Sequence, residues 1–134
     1  MKRITFLIGT LVALCTLQAS IPDSVWVRPA ALPRGAGLLL EWSSDGDRWT
    51  SATEERILGS DYGAWGSEKK LYAPSLAQRG DGLVVLVFQL NDRTNQFAVA
   101  TTHDFIHWRP QDYPYMPGTG QCLEPKARFA GDEL

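Results

Sequence analysis

Residues 60–70 read Ser-Asp-Tyr-Gly-Ala-Trp-Gly-Ser-Glu-Lys-Lys. They concentrate aromatic, acidic and basic side chains among glycines and show neither helical nor strand periodicity. Loops of this composition between regular elements often form binding rims. Tyr62 and Trp65 are flat and amphipathic, suited to stacking on a sugar ring. Asp61 and Lys70 can hydrogen-bond its hydroxyls. The other reading of the same loop is a connector whose aromatics pack between sheets. Further along, Glu124-Pro125 stands at the start of a short run, Cys122 to Phe129. In the same way, Ala73-Pro74 stands at the start of Tyr72 to Ala77.

The elements that must position these residues are strands. Leu83 to Leu90 is almost wholly aliphatic and rich in β-branched and aromatic residues, and Phe97 to Thr101 alternates large with small. Together with Tyr72 to Ala77 they are separated by Arg79-Gly80-Asp81-Gly82 and by Asn91-Asp92-Arg93-Thr94-Asn95. Both clusters tolerate tight turns, so the three runs are expected to pair as an antiparallel meander. Leu38 to Trp42 reads as another strand, closed by a turn at Asp45-Gly46. Val25-Trp26-Val27 reads as a first strand, broken by the prolines that flank and follow it (Pro22, Pro29, Pro33). Residues 109–120, with Pro110, Pro114, Pro117, Gly118 and Gly120, read as an ordered loop or linker.

One pattern occurs twice. A shift of 59 positions carries Leu38-Leu39-Leu40 onto Phe97-Ala98-Val99, Ser43 onto Thr102, Asp45 onto Asp104 and Trp49 onto Trp108. The motif [Ser/Thr]-x-Asp-x-x-x-Trp thus follows an apolar strand both times. Its hydroxyl and carboxylate can bond nearby amides, and its Trp can fold back over the sheet end. A repeat of 40 to 60 residues in strand-rich sequence suggests blades of a β-propeller. A compact β-sandwich is the competing all-β reading, and it requires the early prolines to lie at sheet edges.

Composition excludes several classes. Net charge is −2, and no basic patch points to nucleic acid or an anionic membrane. Residues 1–19 resemble a secretory signal: Lys2 and Arg3, then a mostly apolar run too short for a comfortable membrane span, then the small residue Ala19. The expected location is secreted or periplasmic, with a single domain over residues 20–134. Loss of the leader removes Lys2 and Arg3 and takes the net charge to −4. It also removes Cys15 and leaves Cys122 alone, so no internal disulfide forms. Cys122 with two histidines gives no metal set, and no cofactor is expected.

The turns at Ser43 and Thr102, the strand start Tyr72-Ala73-Pro74-Ser75 and the aliphatic strand after Asp81-Gly82 resemble a known blade pattern. It is that of five-bladed β-propeller glycoside hydrolases, the family 43-like arabinosidases and xylosidases with the related fructosidases. The resemblance covers residues 38–129. It implies an all-β antiparallel propeller, a partner that is an oligo- or polysaccharide, and a pair of carboxyl groups delivered from different blades to a glycosidic bond. It places an acidic residue before Pro at the third blade, which here is Glu124, and leaves Asp61 as the other catalytic candidate. Tyr62, Trp65, Lys70 and Ser75 become substrate-binding candidates. Ser75 stands where the family often has Asp, and no Asp occurs at the first-blade position near Val25 to Arg28. Five blades need about 250 residues. The expectation is therefore a fragment of about two blades, completed by other domains of a longer parent and without hydrolase activity alone. The alternative is a non-catalytic carbohydrate-binding or interaction module.

Overall fold

A computed structural model describes residues 24–59, 69–92, 94–109, 112–118, 120–131 and 133–134, and these form two antiparallel sheets. In the first, β1 (Trp26–Ala31) and β2 (Gly37–Ser43) pair from Trp26 opposite Ser43 to Ala31 opposite Leu38. A 3-10 turn at Pro33–Gly35 joins them. Gly35, at φ 70°, is needed there for its lack of a side chain: a Cβ would stand 2.8 Å from Lys70 Cβ and 2.9 Å from the Tyr72 ring. That close approach sets where the second sheet begins.

The expectation that prolines break the first strand is corrected. β1 runs through Pro29, which pairs with Leu40. Among the described residues β1 pairs only with β2, and an edge strand accommodates a residue that lacks an N–H. On the other side of β2 lie two short pieces, β3 (Thr50–Ser51) and β4 (Leu58–Gly59). The chain between them bows outward but stays tethered: Ala52 N–H donates to Leu40 O and Ile57 N–H to Leu38 O, both at 2.8 Å.

The second sheet is the expected meander, β5 (Leu71–Gln78), β6 (Val84–Leu90) and β7 (Phe97–Thr102). A bulge interrupts β5 between Tyr72 and Ser75, where Ala73 takes φ 45° ahead of Pro74. The described residues of 109–120, expected to form an ordered loop or linker, meet β7 and its flank at isolated antiparallel bridges. Arg109 bridges Thr101 and Tyr115 bridges Gln96. Phe97 N–H donates to Pro114 O and Val99 N–H to Asp112 O. A proline carbonyl accepts as well as any other, so Pro114 can serve as an acceptor there although it lacks an N–H.

The 59-position shift also holds in the structure. It carries β1 onto β6, and the Trp42–Thr50 pair of β2 and β3 onto the Thr101–Arg109 bridge. Side chains alternate along β6. Leu86, Phe88 and Leu90 face the first sheet and share a core with Leu38, Leu58, Leu71, Ala98 and Ala100. Each such buried aliphatic or aromatic side chain contributes about 2 kcal/mol. Val85 and Val87 point the other way and are buried as well, because residues 122–129 cross that face. This explains why β6 is buried at every position while β7 alternates.

Candidate functional site

The two [Ser/Thr]-x-Asp-x-x-x-Trp turns fold with the same bonds. Ser43 Oγ donates to Asp45 Oδ1 (2.9 Å) and accepts from the amides of Asp45 and Gly46 (3.3 and 2.8 Å). Thr102 Oγ1 donates to Asp104 Oδ1 (3.0 Å) and accepts from the amides of Asp104 and Phe105 (3.2 and 3.1 Å). Asp45 Oδ1 then accepts from the amides of Asp47 and Arg48, and Asp104 Oδ1 from those of Ile106 and His107. Donated amides hold the Asp45 carboxyl below its ordinary range, that of Arg48 foremost. The His107 side chain is the leading cause for Asp104, with amides second. The hydroxyls are buried, and through Oδ1 each carboxylate serves as a lock within its own turn.

Three of the residues singled out from the sequence are drawn into one hydrogen-bonded region at the start of β5. Lys70 is exposed, and its backbone is clamped by Asn91: Lys70 N–H donates to Asn91 Oδ1 (3.0 Å) and Asn91 N–H to Lys70 O (2.8 Å). Its neighbour Lys69 is the buried one. Gln89 spans from Asn91 O, to which its Nε2 donates (2.9 Å), to Glu124, whose amide donates to Gln89 Oε1 (3.2 Å). Ser75 Oγ accepts from the Ala127 amide (3.2 Å). Ser75 thus ties residues 122–129 to β5. Asp61, Tyr62 and Trp65 lie outside the described residues.

Glu124 shares an unusual backbone with Ala73. Both precede a proline and both take positive φ, 47° and 45°. Residues before proline favour extended backbone, and a non-glycine residue at positive φ costs about 1–2 kcal/mol. Such strain persists where the surroundings over-determine it. The entry of residues 122–129 therefore repeats the entry of β5. The stacking repeats too: β5 begins against the Pro33–Gly35 turn that follows β1, and Cys122 N–H donates to Thr94 O in the turn that follows β6. The side chain that differs at this strained position is Glu in place of Ala, and it is exposed.

Beside Glu124 a cavity of about 260 Å³ opens between residues 116–126 and the sheet, lined by Val87, Phe97, Met116, Cys122 and Lys126 among others. Burial pushes the Cys122 thiol up, which favours its protonated form. Among the described residues, no three His, Cys, Asp or Glu side chains are gathered as metal ligands. No helix among them is long and apolar enough to cross a membrane.

Sequence reasoning missed one surface. Trp26 is 66% exposed on β1, and Arg28, two residues on, points to the same face. The Arg28 guanidinium lies 4.0 Å from the Trp49 ring centroid and its Nε donates to Glu41 Oε2 (2.7 Å). Trp26 and Trp49 thus flank an anchored cation. The signal was present in Trp26-x-Arg28, but only the register of β1 against β2 brings Trp49 beside it. No family model, curated protein or solved structure matches this chain.

Proposed function

We propose that this chain supplies blades to a secreted carbohydrate-acting β-propeller of the glycosidase kind, with Glu124 as one of its two working carboxyl groups. The observation that carries this reading is the pair of strained pre-proline positions, Ala73 and Glu124, at matching entries of β5 and residues 122–129. It favours a radial array over a sandwich, because the second sheet is packed on both faces by successive elements that dock alike. In the array, Glu124 would assist a leaving group or activate water opposite a second carboxylate, for which Asp61 is the candidate. Lys70 and Ser75 lie in the same hydrogen-bonded region, where they would meet sugar hydroxyls.

The exposed Trp26–Arg28–Trp49 face favours a second reading, carbohydrate binding without catalysis, since flat aromatics beside a fixed cation suit a saccharide face. A titration of the chain with arabinan, xylan and fructan oligosaccharides, followed by NMR, separates the two. The glycosidase reading expects shifts at Lys70, Ser75 and Glu124 that weaken in Glu124→Gln, with no reducing sugar released by this chain alone. Shifts confined to Trp26 and Trp49, lost in Trp26→Ala, would select the binding module. Shifts at Lys70 and Ser75 that are unchanged in Glu124→Gln would refute the place given to Glu124 in the sugar site.

A further inference from the structure

The two sheets differ at one edge. β6 is paired on both sides, by β5 and β7, whereas β1 pairs, among the described residues, with β2 alone. Leu38 and Leu40 turn their carbonyls away from β1, accepting from Ile57 and Ala52. Their partners Ala31 and Pro29, and Val27 two residues earlier, therefore turn their own backbone groups outward. That edge offers the carbonyls of all three and the amides of Ala31 and Val27, and Pro29 has no N–H to leave unpaired. The 59-position shift carries Leu40 onto Val99, whose cross-strand partner is Val87. Pro29 thus stands where Val87 stands. Val87 is paired with Ser75 of β5, in step with Leu83 and Asn91, which bond Arg79 and Lys70 there through backbone. What β1 lacks is the counterpart of β5. By the same shift that counterpart falls on residues 12–19, inside the expected leader.

The chain also carries a segment of β5 type that no strand pairs with among the described residues, residues 122–129. Glu124-Pro125 repeats Ala73-Pro74, left-handed backbone included. The amides of Glu124 and Ala127 donate to the Gln89 and Ser75 side chains, while those of Lys126 and Arg128 make no bond among the described residues. We propose that residues 122–129 of one copy add to the β1 edge of another, as β5 adds to β6, so that the chain associates head to tail with itself. Transfer of the β5–β6 register sets Lys126 opposite Pro29, Arg128 opposite Val27 and Phe129 opposite Trp26. Pro29 O accepts from the Lys126 amide, and Val27 and Arg128 exchange both bonds, so the two free amides are the ones used. Phe129 beside Trp26 makes an aromatic cross-strand pair and covers a tryptophan that is otherwise exposed. The contact joins two different surfaces, so each copy of a pair keeps one free end. It rests on the array reading of residues 122–129 and uses none of its sugar chemistry.

Sedimentation velocity on the purified full chain, from about 1 µM to about 500 µM, reads the association. The mass should rise with concentration beyond that of the monomer. Val27→Pro removes an outward donor from the β1 edge, where Pro29 is already tolerated, and Arg128→Pro removes the matching donor from residues 122–129. Each variant alone should associate at least about tenfold more weakly, with the amide spectrum of β5–β7 unchanged. An equimolar mixture of the two retains one intact edge and one intact segment, so it should form dimers and nothing larger. Intermolecular NMR contacts between Phe129 of the first variant and Trp26 of the second would fix the register. Phe129→Ser leaves both backbones whole and should weaken association by about threefold. A monomer at every concentration overturns the proposal, whether a segment in cis or a separate partner fills the edge. Association that both proline variants leave intact, or that mixing them does not restore, overturns it too. Glu124→Gln should leave association unchanged, which keeps this result separate from the test of the sugar site.

Discussion

The turn after β2 and the turn after β7 share a hydroxyl–carboxylate lock bond for bond, yet they close on different ground. At the first, Trp49 donates its indole N–H to Gly46 O at 3.1 Å and offers its ring face to Arg28. At the second, Trp108 packs against the core shared by the two sheets, and its indole N–H is buried without a partner among the described residues. The first lock takes its left-handed residue as glycine, Gly46 at φ 83°. The second takes it as Phe105 at φ 61°. The lock is therefore a local device that works with either residue. The fate of its tryptophan is decided by what lies beneath it: an edge strand in one case and a sheet-to-sheet core in the other.

Three measurements of unfolding free energy break or sharpen that contrast. The largest effect belongs to the tryptophans. Trp108→Ala should cost about 3 kcal/mol, because it empties the edge of the shared core. Trp49→Ala should cost about 1 kcal/mol, because it forfeits one hydrogen bond and a partly exposed cation–π contact. Equal losses would mean that the two turns sit on equivalent ground. Next come the hydroxyls. Ser43→Ala and Thr102→Val each strip two amides of their acceptor inside a buried turn, at about 2 kcal/mol apiece. Here equality is the expected result, and a difference above about 1 kcal/mol would show that the locks are not the same device. The smallest effect is Gly46→Ala. A Cβ there meets only Trp26 Nε1, at 4.0 Å, so the backbone term acts alone and should cost about 1 kcal/mol. A neutral result would mean that the turn relaxes out of its left-handed geometry.

Much of the second sheet was legible because its signals are local. The aliphatic run of β6, the Asp81-Gly82 turn and the alternation along β7 each state a backbone preference within a few residues. The lock was legible for the same reason: Ser43 reaches Asp45 and Gly46 without leaving its own turn. Elsewhere the local signal misled. Pro29 looks like a strand breaker until β1 proves to be an edge among the described residues. Pro114 falls in a stretch that reads as an ordered loop or linker, and its carbonyl accepts from Phe97 at the start of β7. β3 and β4, each two residues long, carry no period that a sequence pattern could register.

The candidate site divides along the same line. The identities of Lys70, Ser75 and Glu124, and the likeness of Glu124-Pro125 to Ala73-Pro74, were written in the sequence. That Asn91 and Gln89 would bind the first and last of these into one region was not, since those bonds span 21 and 35 positions. The Trp26–Arg28–Trp49 face likewise depends on cross-strand register. By itself the sequence determined an all-β chain, two of its strand pairings and a turn lock used twice. Those choices rest on backbone dihedral preference and hydrogen bonds within a single turn. Only the tertiary structure decided which tryptophan packs against the core and that Glu124 takes a left-handed backbone ahead of its proline. Those outcomes are set by which sheet face packs on which, and such packing is a property of residues far apart in the chain.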